Sequence, residues 1–338
     1  MAVPGYEIDL FGRLKDTGAA ALQSYLSTAE GARAARISLV AAVATQWLAL
    51  AADVQTQRLN ENSLEADDKS LDLTRRMHAL GAISNLPVVQ AQAAQEAARG
   101  AAAAGRAQLL QDRSALTLLV GREVPQDLLP LQAGPDEASV LVSVPAGLPA
   151  RVLEQRPDVL AAEHGLQAAQ LDIGAARAAF FPTITLTGSA GTASTALSGL
   201  FAKGSGSWSF GPSISWPILD SGGVQAQLDI ARTQRDIALA NYEKALQAAF
   251  SEVADALAVR STLAERIDAQ RAQTRASEAA LRDADAQFRN GVTSYLEVLD
   301  AQRGLYGSQQ AEIALGLAEQ DNRIALYKAL GGGWRESN

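Results

Sequence analysis

Gly81-Ala82-Ile83-Ser84-Asn85-Leu86-Pro87-Val88-Val89-Gln90-Ala91-Gln92 aligns without a gap on Gly291-Val292-Thr293-Ser294-Tyr295-Leu296-Glu297-Val298-Leu299-Asp300-Ala301-Gln302. The offset of 210 positions holds well outside that window. Val43-Ala44 falls on Val253-Ala254, Gly12 on Gly222, and Ser114–Gly121 on Ile324–Gly331. A duplication of this length makes the chain two similar halves, and pseudo-symmetry then shapes what it does. Each copy reads as a helix reversal. Gly81 and Gly291 stand where a helix needs a left-handed C-terminal residue. Ser84 and Ser294 stand where the next helix needs an N-cap, and Pro87 falls in a first turn, where a missing N–H costs little.

The helices on either side are long. Residues 13–80 contain no proline, and Ile37, Val40, Ala44, Trp47, Ala51 and Val54 recur at steps of 3, 4, 3, 4, 3. That spacing is a coiled-coil seam. A second helix is predicted to run to about Val120. In the second half residues 224–290 are also free of proline, and Leu246, Ala249, Val253 and Ala256 step by 3, 4, 3. Ser294 with Glu297 forms an S-x-x-E capping box opening a last helix to Leu330. A helix of roughly 67 residues is about 100 Å long, too long for an ordinary soluble domain. The expected organisation is a first repeat over 1–121, a linker or equatorial segment over 122–148, a second repeat over 149–331 and a tail over 332–338. A further helix is predicted over Pro149–Ala179, with Pro157 early in it.

Two segments resist a helical reading. Ile184, Leu186, Gly188 and Ala190 alternate with Thr183, Thr185, Thr187 and Ser189. Trp208, Phe210, Pro212, Ile214, Trp216 and Ile218 alternate with Ser207, Ser209, Gly211, Ser213 and Ser215. Each is a period-two pattern about ten residues long, the span of a membrane β-strand. The polar positions carry Ser, Thr and Gly without charge, as the water-facing side of a barrel does, whereas a soluble sandwich would need more strands. Ile184, Leu186, Trp208, Phe210, Ile214 and Trp216 are therefore expected to face lipid. Residues 193–206 make the loop between these strands. Tyr6–Gly12 sits before the first long helix as Ile214–Gly222 sits before the second, and reads as the remnant of a strand.

Composition narrows the function. The net charge is −8 with no basic run, which argues against a nucleic-acid partner. There is no cysteine, hence no disulfide, thiolate metal site or cysteine nucleophile. His78 and His164 lie far apart and read as helix-surface residues. No convergent acid–base or nucleophile set is found, and no cofactor or metal is expected. No run of eighteen apolar residues occurs, so no transmembrane helix is predicted. Residues 1–5 lack the basic and apolar regions of a signal peptide. The first half also starts abruptly, so an N-terminal truncation is expected.

Tyr6-Glu7-Ile8-Asp9-Leu10-Phe11-Gly12-Arg13, Leu148-Pro149 with Arg156-Pro157-Asp158, Ile173–Pro182, Leu299-Asp300-Ala301-Gln302-Arg303 and Tyr327–Trp334 cover nearly the whole chain. With the element order, they resemble the outer-membrane efflux protein family, the TolC/OprM-type exit ducts, and most closely the OprM-like branch serving resistance-nodulation-division pumps. The resemblance implies a mainly α fold. Long antiparallel helical hairpins form a periplasmic α-barrel, and short transmembrane β-strands, four per subunit, enter one β-barrel shared by a homotrimer. It implies a lipid bilayer, a periplasmic adaptor (membrane fusion protein) and an inner-membrane pump as partners. The resemblance implies, too, that small-molecule efflux substrates pass through and that the full-length form is a lipoprotein of the outer membrane. The tip turns Gly81, Ala82, Ile83, Ser84 and Gly291, Val292, Thr293, Ser294 would then face the adaptor.

Leu296, Asp300 and Arg303 lie at i, i+4 and i+7 and share a helical face. The family carries an apolar ring and an Asp/Arg pair at these places, closing the resting duct. Three copies of Asp300 near an axis would repel unless paired, and Arg303 offers a partner. The first half has Gln90 and Ala93 instead, so only the second half carries charge there. The plainer reading is a surface ion pair worth at most ~0.5 kcal/mol. Two other readings stand beside the duct: a periplasmic coiled-coil scaffold, and a truncated duct that keeps the fold without sealing a pore.

Overall fold

The computed structural model describes residues 2–130 and 151–332. Most of the linker expected over 122–148, the start of the helix expected at Pro149, and Trp334 with its tail lie outside them. The elements are β1 (Ala2–Ile8), α1 (Arg13–Ala79), α2 (Asn85–Val120), α3 (Arg151–Glu154), α4 (Pro157–Ala178), β2 (Thr183–Thr192), β3 (Gly206–Ser215), α5 (Gly223–Arg289) and α6 (Tyr295–Ala329). The fold is mainly helical, as expected. The described residues group into two compact units, one from 2–34 and 153–249, the other from 35–130, 151–152 and 250–332.

In the first unit the three strands form an antiparallel sheet in the order β1-β2-β3. The strand remnant expected at Tyr6 is a full strand starting at Ala2, with an irregularity between Val3 and Tyr6. Pro4 has no N–H to give a ladder there. A Cβ on Gly5 would come within 3.3 Å of Thr185 Cγ2. At its other end β3 stops at Ser215, short of the expected Trp216 and Ile218. Pro217 cannot continue the ladder. The Trp216 indole instead donates to the Phe180 carbonyl at 3.1 Å, and Phe11 stacks on Phe181 with centroids 4.6 Å apart.

Both long helices start alike. A left-handed glycine (Gly12, φ 81; Gly222, φ 89) precedes each. An aspartate caps each: Asp9 Oδ2 accepts from the Lys15 N–H at 2.8 Å and Asp220 Oδ2 from the Val224 N–H at 2.6 Å. α4 docks on the start of α1, where Ser27 Oγ donates to the Ala161 carbonyl at 2.7 Å and His164 Nδ1 meets Gln23 Oε1 at 2.7 Å. The single helix expected over Pro149–Ala179 is interrupted before Pro157. Arg156 is extended (ψ 134) because the proline ring forbids a helical residue before it. Arg156 is buried and bonds Asp158 through Nε at 3.0 Å and Nη2 at 2.7 Å. Burial would raise the Asp158 carboxyl, but Arg156 and the Val159 N–H together hold it below its ordinary range.

The second unit packs α1, α2, α5 and α6 in helix-pair seams. The expected α1 seam divides in two. Ala41 and Leu48 pack with Ile324, while Leu50 and Val54 pack with Leu116. Trp47 touches both clusters and gives its indole N–H to the Leu128 carbonyl at 2.8 Å. Val40, expected in the seam, is exposed. A helix with two neighbours needs two stripes, and one 3-4 pattern cannot mark both. The α5 seam is closer to expectation, with Ala249 and Ala256 buried. Contrary to the expectation from the sequence, one window of α1 has the length and mean hydropathy (1.7) of a membrane span. In α1 the side chains of Leu48, Leu50, Ala51 and Ala52 are buried in helix packing.

Candidate channel surfaces and hairpin tips

Strand register decides which side chains share a face. Ile8 pairs with Ile184 and Ile184 with Ile214, while Tyr6 pairs with Leu186 and Leu186 with Pro212. Gly188 lies opposite Phe210 and Ala190 opposite Trp208. One face of the sheet is thus apolar from end to end. The other pairs Thr183 with Ser215, Thr185 with Ser213 and Ser189 with Ser209. On that face Thr187 Oγ1 donates to the Gly211 carbonyl at 3.0 Å, and the Ser189 and Ser209 hydroxyls meet at 2.8 Å. Among the described residues nothing covers the apolar face: Trp208 is 80% exposed, Ile214 70% and Phe210 64%. A bare apolar face of this kind, backed by hydroxyls, has the pattern of a strand with lipid on one side and water on the other. The β2–β3 loop closes through the Ala193 N–H on the Ser205 carbonyl at 2.8 Å and exposes Leu197 and Phe201.

At the hairpin tips the two turns are copies in geometry as in sequence. Gly81 and Gly291 both have φ 72. The Gly81 N–H reaches the His78 carbonyl and the Ala82 N–H the Met77 carbonyl, both at 2.9 Å. The Gly291 and Val292 N–H groups reach Phe288 and Gln287 at the same distance. This double bond pattern is a Schellman close. Ser84 and Ser294 hold N-cap backbone angles, yet neither hydroxyl makes a cap bond, so the expected capping box does not form. Both serines are exposed, so the first-turn N–H groups there lie open to solvent. Ala82 and Val292 are exposed, Ile83 and Thr293 half-buried.

Just behind the turns, Leu71, Ala91, Phe288, Tyr295, Val298 and Leu299 form one buried cluster drawing on all four long helices. Phe288 and Tyr295 are in ring contact, with centroids 5.3 Å apart. Because Tyr295, Val298 and Leu299 point inward, Leu296, Asp300 and Arg303 fall on the outward face, all exposed. The structure brings these three together as the spacing predicts. It does not pair Asp300 with Arg303: among the described residues no ion pair joins them. The charge of Arg303 is felt by Asp67 of α1. Burial, helped by the charge of Asp68 and opposed by Arg303, pushes the Asp67 carboxyl up to about 6. Burial also raises the Tyr295 phenol, with Ser70 opposing and Asp67 adding.

Sequence reasoning missed further polar residues inside the helix seams. Asp53 of α1 faces Asp112 of α2; burial, then sharing a proton with Asp112, pushes Asp53 up to about 6. Asp112 is buried and accepts from Gln46 Nε2 at 3.3 Å and Gln108 Nε2 at 3.2 Å. Gln57 and Asn60, also buried, continue the line of Leu50 and Val54. A polar residue on an apolar seam was the available signal.

These surfaces fit a known family. A family model described as outer membrane efflux protein matches residues 3–122 and 148–332. The chain belongs to that family. It is 44% identical over 337 residues to the toluene efflux pump outer membrane protein TtgC of Pseudomonas putida, across 99% of this chain and 69% of the relative. A crystal structure of a membrane protein from Pseudomonas aeruginosa is similar, with TM-score 0.91 and 43% identity over 98% of this chain and 74% of the other. The open state of the Neisseria gonorrhoeae MtrE outer membrane channel follows, with TM-score 0.89 and 39% identity over 98% and 74%. As an outer membrane efflux protein, the chain is an exit duct of the outer membrane, in a family of channels rather than enzymes.

Proposed function

We propose that three copies of this chain form one duct and that its resting closure lies at Leu296, Asp300 and Arg303. The duct joins a periplasmic adaptor and an inner-membrane resistance-nodulation-division pump, and conducts small molecules passively outward. The observation that carries this reading is the placement of those three side chains. They stand exposed on one face of α6, one to three turns beyond the turn at Gly291 and opposite the buried cluster. Trimerisation draws support from apolar side chains left bare on α5 at heptad spacing, Ile230 with Ile237 and Phe250 with Leu257. Brought around an axis, the Leu296 side chains narrow the passage and Asp300 adds a ring of negative charge. Arg303, on the same exposed face but not paired with Asp300, tempers that ring only in part. The small turns Gly81–Ser84 and Gly291–Ser294 allow close backbone approach by the adaptor. The repeats, 1–121 and 149–331, are the units that alternate around the ring. Toluene appears in the name of TtgC, and the same class of small apolar molecule is assigned to this duct.

Single-channel recording in planar bilayers tests the closure. Asp300→Ala with Arg303→Ala is expected to raise resting conductance several-fold over the parent. Equal conductance of parent and variant rejects the gate.

A further inference from the structure

The offset of 210 residues maps a contact within the chain onto a surface that the chain leaves open. In the second unit α6 lies over the first hairpin at Asn60. Tyr306 donates its hydroxyl to Asn60 Oδ1 at 2.7 Å, and Gln310 donates to the Tyr306 oxygen at 2.8 Å. Asn60 Nδ2 donates to the Ala101 carbonyl of α2 at 3.3 Å, and Asn60 is only 5% exposed.

The counterpart of Asn60 is Gln270 on α5. It binds its own partner helix in the same manner, Nε2 donating to the Ser308 carbonyl of α6 at 3.0 Å. Among the described residues no side chain donates to it as Tyr306 does to Asn60. Instead Gln270 lines an open groove of about 450 Å³ between α5 and α6, with Arg266, Gln273, Ala311, Ala314 and Leu315. Gln273 and Ala311 are exposed, whereas their counterparts Ser63 and Ala101, on the covered first hairpin, are half-buried.

The counterpart of Tyr306 is Glu96 on α2, an exposed residue paired at 3.0 Å with Arg99 of its own helix. Such surface pairs are weak and exchange readily. Arg266 makes no ion pair among the described residues.

We infer that the α5/α6 groove is filled by α2 of a second copy of this chain, with Glu96 of that copy seated against Gln270 and Arg266. This rests on the trimeric reading above. In a closed ring each hairpin meets its pseudo-equivalent on both sides, once within a chain and once across a subunit boundary. The second contact must therefore reproduce the first with the counterpart residues. The chemistry matches: a carboxylate accepts from the second amide hydrogen of Gln270 and from a guanidinium, a charge-assisted bond. Ala311 and Ala314 leave depth for a helix to enter.

The chain has no cysteine, so engineered thiols report cleanly. Glu96→Cys with Gln270→Cys, treated in detergent with a short bis-thiol-reactive linker, is expected to give covalent dimers and trimers on a denaturing gel. Neither single variant should. Asn60→Cys with Tyr306→Cys, which links within a chain, verifies reagent access. Light scattering on the same preparations separates the outcomes. Trimers without the 96–270 link overturn the contact and leave the assembly standing; monomers overturn the assembly and the contact with it. A charge exchange gives a second check. Arg266→Glu should speed trimer dissociation about tenfold, and adding Glu96→Arg should restore the parent rate. No rescue in the double variant overturns the contact.

Discussion

At the residue scale, a few positions carry more constraint than their side chains suggest. Gly81 and Gly291 hold φ 72, and an alanine at either place meets the left-handed penalty of ~1 kcal/mol. Each substitution should lower the denaturation midpoint, measured in urea, and the pair should act additively because the turns are separate. Gly105 of α2 is a place of close approach, where a Cβ would run into Gln57 Oε1 and lie 3.0 Å from Asn60 Nδ2. Gln57 is buried, so its amide can yield only by displacing its neighbours, and Gly105→Ala should cost about 1–3 kcal/mol, read in the same titration. Asp53 and Asp67 both titrate near 6 in the fold, against ~4 in an unfolded chain. The folded state thus binds their protons more tightly. The stability they contribute is complete below about pH 4 and is lost as pH rises through about 6. Asp53→Asn should raise the thermal midpoint at pH 7.5 and leave it nearly unchanged at pH 4, measured by circular dichroism.

At the scale of elements, glycine and proline made most boundaries legible. The α1 and α5 lengths follow from proline-free runs closed by Gly81 and Gly291, and the strands from their period of two. Other features depend on neighbours that a linear pattern does not name. The alternation through Trp216 and Ile218 outlasts β3, because Pro217 ends the ladder while leaving the pattern intact. The capping box at Ser294 matched its motif and failed in space, because at an exposed tip the first-turn N–H groups are open to solvent and do not depend on a side-chain cap. The α1 seam looked single because one periodicity cannot say that two helices share the surface. Of the candidate site, the outward face of Leu296, Asp300 and Arg303 was readable from spacing. The influence of the Arg303 charge on Asp67 was not, since it depends on packing between helices more than 200 residues apart in sequence. The sheet supplies its own test. Ile214 stands on the apolar face beside Ile184. Ile214→Arg should cost about 2–4 kcal/mol of membrane insertion, seen as loss of folded protein in vesicles. Ser213→Arg, on the hydroxyl face, should insert normally.

At the scale of the whole molecule, the chain divides its surface chemistry by element. Its sheet offers apolar groups on one side and hydroxyls on the other, and its hairpins end in paired turns backed by a buried cluster. That division suits an outer-membrane duct: strands with an apolar and a hydroxyl face, and helical hairpins that end in exposed turns. The most direct measurement is a nitroxide scan of residues 207–214, one cysteine at a time, in vesicle-reconstituted protein. The account predicts that oxygen, which concentrates in lipid, relaxes labels at 208, 210, 212 and 214. A polar nickel chelate should relax those at 207, 209, 211 and 213. Labels equally shielded from both reagents, or equally open to the chelate at every position, would contradict it.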